Sequence, residues 1–241
     1  MSSKLIMPDT EMVFRANSMD FHTITQVMVA NEYRLPPAFK KDDFILDIGA
    51  NIGCFALMCL ARGAGDVECW EADPSNFRLL CKNLKPKYTR KVALARAIVM
   101  DRERCVKFTE NEFFTSGCRV DPATADRVPT CAHERKWTRG IDSIVPLEPF
   151  RLLKMDIEGA EWPIIYNSKN LVWAREILVE CHPSIPYAGY DCTVEGAIKR
   201  FEDLNFRVEH WDEVISIPGA AHRPNVIIRA VNRRRMKNGT S

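Results

Sequence analysis

Hydrophobic and polar residues along this chain follow two periods, one of strand length and one helical. From residue 43 onward, short apolar runs alternate with stretches whose apolar residues recur every three or four positions. The runs FILDI (44–48), DVECWEA (66–72), KVALARAIVM (91–100), FRLLKMDI (150–157) and EILVECH (176–182) predict five strands. Between them, SNFRLLCKNL places Phe77, Leu80, Cys81 and Leu84 on one helical face, just after Pro74, a residue suited to a first helical turn. TVEGAIKRFEDL repeats the pattern with Val194, Ala197, Ile198, Phe201 and Leu204. Strand and helix in alternation predict a parallel sheet covered by helices on both faces. The pattern changes near the end, where FRVEHWDEVISI (206–217) and NVIIRAV (225–231) leave no room for a helix between them. They predict an antiparallel hairpin closing the sheet.

Ahead of this unit, MDFHTITQVMVANEYRL (19–35) carries Phe21, Ile24, Val27, Met28 and Tyr33 near helical spacing, ended by the Pro36-Pro37 pair. The expected organisation is a helical extension over 1–40, a ligand-binding α/β domain over 41–232, and a basic, flexible tail over 233–241 that begins with Arg233–Lys237. The long polar stretch 109–140, with two prolines, is the candidate for recognising an acceptor, because loops of that length in a compact domain tend to be functional.

Composition narrows the class only slightly. With 46% hydrophobic and 27% charged residues the chain reads as globular, and no apolar run approaches the roughly 18 residues of a membrane span. A net charge of +2 does not imply a nucleic-acid partner. Nine cysteines without a C-x-x-C pair predict reduced thiols rather than a zinc site, and no apolar leader block opens the sequence, so a cytoplasmic setting is expected.

The candidate chemistry begins at FILDIGANIG (44–53). Strand, Asp47, Gly49, Asn51, Gly53 and then an apolar helical run form the layout of the first turn of a nucleotide-binding α/β fold. A dinucleotide site wants G-x-G-x-x-G, in which the second glycine admits a pyrophosphate. Here Asn51 holds that middle place, and Asp47 would repel phosphates. S-adenosyl-L-methionine, with a sulfonium and an amino group and no phosphate, suits an acid at this position better. Glu71 closes the second strand where an acid can accept hydrogen bonds from two ribose hydroxyls. Ala97 and Asp101, around the end of the third strand, are expected beside the adenine.

LLKMDIEGAEW (152–162) delivers Lys154, Asp156, Glu158 and Glu161 to the carboxyl end of the fourth strand, the edge where open α/β sheets do their chemistry. So many neighbouring carboxylates are costly unless they share a cation, a proton or a helix N-terminus. A helix start accounts for Glu161 and leaves Asp156 and Glu158 as candidates for catalysis, joined by His182 directly after the fifth strand.

FILDIGANIGCF, CWEADPSNFRLLCKNL and LLKMDIEGAEW together resemble the FkbM family of S-adenosylmethionine-dependent methyltransferases over roughly residues 30–230. LVECHPS, with Glu180, His182 and Pro183, is similar to that family's fifth strand. The resemblance implies the class I methyltransferase fold, a Rossmann-like, seven-stranded, mostly parallel sheet with an antiparallel terminal hairpin. It also implies O-methylation, commonly of a sugar or glycan hydroxyl and alternatively of a polyketide or other small molecule. Asp156, Glu158 or His182 would take the acceptor's proton. A divalent metal on the same carboxylates is the second route and is not the expected one. An NAD-dependent oxidoreductase also explains Glu71 but lacks its glycine motif, and a non-catalytic nucleotide- or RNA-binding module keeps the fold without the chemistry.

Overall fold

A computed structural model describes residues 2–7, 10–109, 119–120, 135–212 and 225–236. Its centre is β3 (Phe44–Ile48), a strand buried on both faces, as the unbroken apolar run FIL requires. On one side lie β4 (Asp66–Glu71) and β5 (Val92–Arg96), and on the other β10 (Phe150–Met155) and β11 (Ala174–Cys181), all parallel. The sheet is completed by β12 (Phe206–Asp212) and β13 (Val226–Asn232). β13 inserts between β11 and β12 and runs antiparallel to both, giving the order β12-β13-β11-β10-β3-β4-β5. This is the seven-stranded sheet with a terminal hairpin that the sequence pattern predicts.

One face is covered by α2 (Cys54–Ala61) and α3 (Pro74–Tyr88), the other by α4 (Glu161–Asn167) and α5 (Val194–Asp203). α3 starts where its sequence says: Asp73 accepts from the N–H groups of Ser75 and Asn76, and Pro74 occupies the first turn. α5 is capped by Thr193 and buries Ala197 and Phe201. α2 is apolar all round, and its outer side is covered by the N-terminal segment; Tyr33 meets Phe55 edge-on at 5.3 Å.

That N-terminal segment differs from its expected form. It opens with an antiparallel hairpin, β1 (Ser2–Met7) and β2 (Thr10–Arg15), which helical periodicity did not reveal. The hairpin is tied down by Asn83, whose side chain bonds both backbone groups of Val13, and by Arg15, which donates to Asp20, Ser75 and Asn76. The helix itself is short: α1 (Asp20–Ile24) passes into a π-type stretch that ends at Val29. Ile24, Val27 and Met28 are buried as expected, but Phe21 is 55% exposed and Tyr33 lies beyond the helix. Left-handed Asn31 and Arg34 stop the helix before the prolines do.

The run 91–100 also divides. β5 keeps its first half, and at Ala97 the chain leaves the sheet for β6 (Ile98–Met100). This strand joins a second sheet with β7 (Cys105–Thr109), β8 (Arg119–Val120) and β9 (Arg135–Gly140). Most of the 109–140 stretch lies outside the described residues. The basic segment begins with a single helical turn, α6 (Arg233–Met236). Among the described residues no helix is long and apolar enough to cross a membrane, and seven cysteines are free thiols.

Gly49 is where the fold admits no side chain. Its φ is +77°, and a Cβ there would lie 1.7 Å from the carbonyl oxygen of Asp156. Gly189 has a similar φ of +87° with nothing within 4 Å. In urea denaturation Gly189→Ala should lose about 1–2 kcal/mol from the backbone alone, whereas Gly49→Ala should lose several kcal/mol more. Equal losses would mean that the contact with Asp156 constrains nothing.

Candidate active site at the carboxyl edge of the sheet

The glycine turn after β3 alternates into the left-handed region at Gly49, Asn51 and Gly53, with φ of +77°, +50° and +98°. Gly49 and Ala50 donate their N–H groups to the carbonyl of Trp70, at 2.9 and 3.0 Å. The close approach that the glycines permit is made by the chain itself. Gly49 sits against the Asp156 carbonyl, and Gly53 makes room for Leu80 of α3. Asn51 points inward, its side-chain oxygen buried without a hydrogen-bond partner.

Glu71 is joined to this turn. One carboxylate oxygen accepts from Asn51 N–H at 2.8 Å and the other from Asp73 N–H at 2.8 Å, leaving each oxygen a further lone pair. Burial pushes its pKa up to about 7 against the pull of those two N–H groups. Ala97 is beside it, donating its N–H to the Glu71 carbonyl at 3.2 Å. Asp101 is held elsewhere: its carboxylate pairs with Arg104 and accepts from Asn167 at 2.8 Å, and none of its bonds reaches the glycine turn or Glu71.

Asp47 has a partner that sequence reasoning did not pair with it. In the β3–β10 register Lys154 stands opposite Asp47, and its ammonium lies 3.4 Å from the carboxylate, with both side chains almost fully buried. The same ammonium donates to the Gly49 carbonyl at 2.7 Å and approaches Asp156 at 3.6 Å. Burial would lower the Lys154 pKa, but Asp47, Asp156 and Glu180 raise it above its usual range, so it stays charged. The Asp47 carboxyl is raised by burial and lowered by Lys154. The positive partner that Asp47 calls for is therefore inside the protein.

Asp156, Glu158 and His182 do come together. Each offers one atom, and the three lie within 4.8 Å of one another. Glu158 reaches the cluster through a left-handed backbone, φ +53°, between the end of β10 and α4. His182 follows β11; its Nδ1 lies 2.9 Å from Glu161, a fully buried acid that also accepts from the His182 backbone N–H at 2.9 Å. The second Glu161 oxygen accepts from Gly159 N–H at 2.8 Å. Glu161 thus fixes the imidazole, a role beyond the helix-start one that its position suggested. This leaves Nε2 facing Glu158, Glu180 and Asp156 at 3.6, 3.7 and 3.9 Å. Burial lowers the His182 pKa, and Glu161, Glu158 and Glu180 outweigh it, holding the ring well above its ordinary value. The Glu158 carboxyl is pushed up, first by burial.

Tyr33 completes the site from 123 residues away. Its hydroxyl donates to Glu180 at 3.1 Å and approaches Asp156 at 3.4 Å. Sequence reasoning placed Tyr33 on an apolar helix face, and no local pattern marks it as part of the site. Glu161 carried a clue in its two-residue distance from Gly159, but its link to His182 spans 21 residues.

A buried acid with a raised pKa has a definite linkage sign. The folded protein holds the Glu71 proton more tightly than the unfolded chain, so this group's stabilisation is full below about pH 4.5 and is lost as pH rises through about 7. Urea stability of the native protein should therefore fall between pH 5 and 7 by up to about 3 kcal/mol more than that of Glu71→Gln. Parallel curves for the two proteins would show that Glu71 ionises freely.

Comparison with known proteins agrees with this architecture. The Methyltransferase FkbM domain pattern matches residues 47–216. The FkbM methyltransferase structure from Methylobacillus flagellatus KT superposes with a TM-score of 0.55 at 12% identity, over 86% of this chain and 47% of that one. The chain thus spans just under half of that protein's length. A putative transferase from Pyrococcus horikoshii matches with a TM-score of 0.49 and 13% identity, over 96% of this chain and 72% of that one. M. jannaschii TYW2 in complex with AdoMet matches with a TM-score of 0.46 and 14% identity, over 95% and 84%. No curated protein matches the chain significantly. The Methylobacillus flagellatus likeness speaks to the fold alone, whereas the family pattern spans well over half of the sequence, and on that ground the chain belongs to the FkbM methyltransferase family.

Proposed function

We propose that this protein is an S-adenosylmethionine-dependent O-methyltransferase whose acceptor is a hydroxyl of a sugar or glycan. The observation that carries the reading is the contact between the two halves of the site: Gly49 of the ligand-binding turn abuts Asp156 of the acid–histidine cluster. A ligand on the turn would present its far end to the cluster.

The residues of the first half fit the cofactor. Asn51 has a buried side-chain oxygen without a partner, and Glu71 keeps a spare lone pair on each oxygen, a set that matches a ribose diol. Ala97, next to Glu71, would border the adenine. Asp47 would serve by holding Lys154 and the turn in place. Bound S-adenosylmethionine supplies an electrophilic methyl group on a sulfonium.

The second half fits an alcohol acceptor. Methylating a hydroxyl requires that its proton leave to a nearby base as the new carbon–oxygen bond forms. Asp156 and Glu158 offer carboxylate acceptor atoms there, their side chains still 27% and 22% exposed, with His182 beside them. Carboxylate oxygens pair naturally with the hydroxyl donors of a carbohydrate.

Calorimetry should show binding of S-adenosylhomocysteine and none of NADH. Glu71→Ala should weaken that binding about tenfold to a hundredfold, the cost of a charge-assisted hydrogen bond. Asp156→Asn and Glu158→Gln should keep S-adenosylhomocysteine affinity within a few fold while lowering methyl transfer to a sugar acceptor by roughly 10²–10⁴. Preference for NADH would overturn the cofactor reading, and wild-type turnover in both variants would remove the cluster from the chemistry.

A further inference from the structure

We infer that Asp156, Glu158 and the Nε2 atom of His182 form a binding site for one small divalent cation, of the Mn²⁺ or Mg²⁺ kind. The inference deepens the methyl-transfer reading of the same site but stands on the side chains alone. It takes up the route that the sequence placed second, a divalent metal on these carboxylates.

The first observation is the donor set. Two carboxylates and one imidazole each present an atom, and the three fall within 4.8 Å of one another. Ligand atoms of an octahedral cation with bonds of about 2.1 Å lie roughly 3–4.2 Å apart, so side-chain shifts on the order of 0.5–1 Å would close the set. Carboxylate with imidazole suits Mn²⁺ and its neighbours.

The second observation is independent of the acids' proximity. The His182 side chain is only 4% exposed, and its Nε2 is aimed at three carboxylate oxygens yet approaches none closer than 3.6 Å. That distance is too long for a hydrogen bond and leaves space in the middle of the group. Nδ1, by contrast, is held by Glu161 at 2.9 Å. An imidazole fixed through one nitrogen by a buried carboxylate, with the other directed at a converging set of acids, is the outer-sphere arrangement that orients metal-ligating histidines.

Charge points the same way. Asp47, Asp156, Glu158, Glu161 and Glu180 face Lys154 and His182, and Lys154 is already engaged by Asp47. A divalent cation would offset that surplus of acidic groups. Glu180, held by Tyr33 and Asn225, would orient the set from behind. The exposed sides of Asp156 and Glu158 leave an entry path from solvent.

The test uses the whole protein after chelator treatment, titrated with Mn²⁺ and followed by the electron paramagnetic resonance signal of the free ion. One saturable site below about 1 mM is expected. Asp156→Asn and Glu158→Gln should each weaken it at least tenfold, and Glu161→Gln, which only positions the ring, about 10–100-fold. Glu103→Gln, at an exposed pair with Arg139, should leave it unchanged. Circular dichroism reports whether each variant is folded, and the two partly exposed acids keep the test independent of any His182 variant. Absence of saturable binding at several millimolar Mn²⁺ in the folded protein would overturn the inference, as would binding untouched by Asp156→Asn and Glu158→Gln. Calorimetry with S-adenosylhomocysteine separates the two ideas. Its binding without Mn²⁺ binding leaves the methyl-transfer reading standing and this inference lost, and the reverse leaves the site without that reading.

Discussion

A single buried ammonium organises the centre of this protein. Lys154 bridges Asp47 of β3, the carbonyl of Gly49 in the turn, and Asp156 at the end of its own strand β10. It thereby sets the height at which two neighbouring strands end. Removing one member of such a pair typically costs about 3–5 kcal/mol, because the other charge is left buried and unpaired. The parallel register supplies the pairing: Lys154 opposite Asp47 and Met155 opposite Ile48 bring the Asp156 backbone against Gly49. The glycine is therefore demanded by the strand packing before any ligand is considered.

From that anchor the site divides by its electrostatics. On the β4 side Glu71 accepts from two backbone N–H groups while burial pushes its pKa up to about 7. On the β11 side the acids outnumber the cations and converge on His182. One backbone-bound acid on the β4 side and a converging group of acids on the β11 side give the two halves of this sheet edge different electrostatic character.

The fold was legible because its signals are local. Strand runs, the Pro74 start of α3, the amphipathic α5 and the closing hairpin all depend on residues close in sequence. The misses share one cause. The chain leaves the main sheet at Ala97 to pair with β9, some 40 residues on, and the N-terminal hairpin is held by Asn83, which lies 70 residues from Val13. Within the site, Asp156, Glu158 and His182 could be named because each follows a strand end. Their setting could not be read in advance. Glu161 looked like a helix-start acid and Tyr33 like core, and no local pattern pairs Asp47 with Lys154, which stands opposite it on β10.

Tyr33 shows how a peripheral segment becomes part of the candidate site. It reaches the site because Asn31 and Arg34 adopt left-handed backbones that turn the chain inward after the helix, and because Phe55 of α2 offers its ring an apolar seat. Burial, with Asp156 and Glu180 nearby, raises its pKa well above the usual tyrosine value, so the hydroxyl keeps its proton and acts as a donor. That donor occupies one oxygen of Glu180 while Asn225, just before β13, occupies the other. The extension and the terminal hairpin thus clamp the same carboxylate from opposite ends of the sequence. With Glu180 immobilised in this way and Glu161 holding the ring, Nε2 of His182 has little freedom to turn away from Asp156 and Glu158. The acidic half of the site is preorganised by residues that need never touch a substrate.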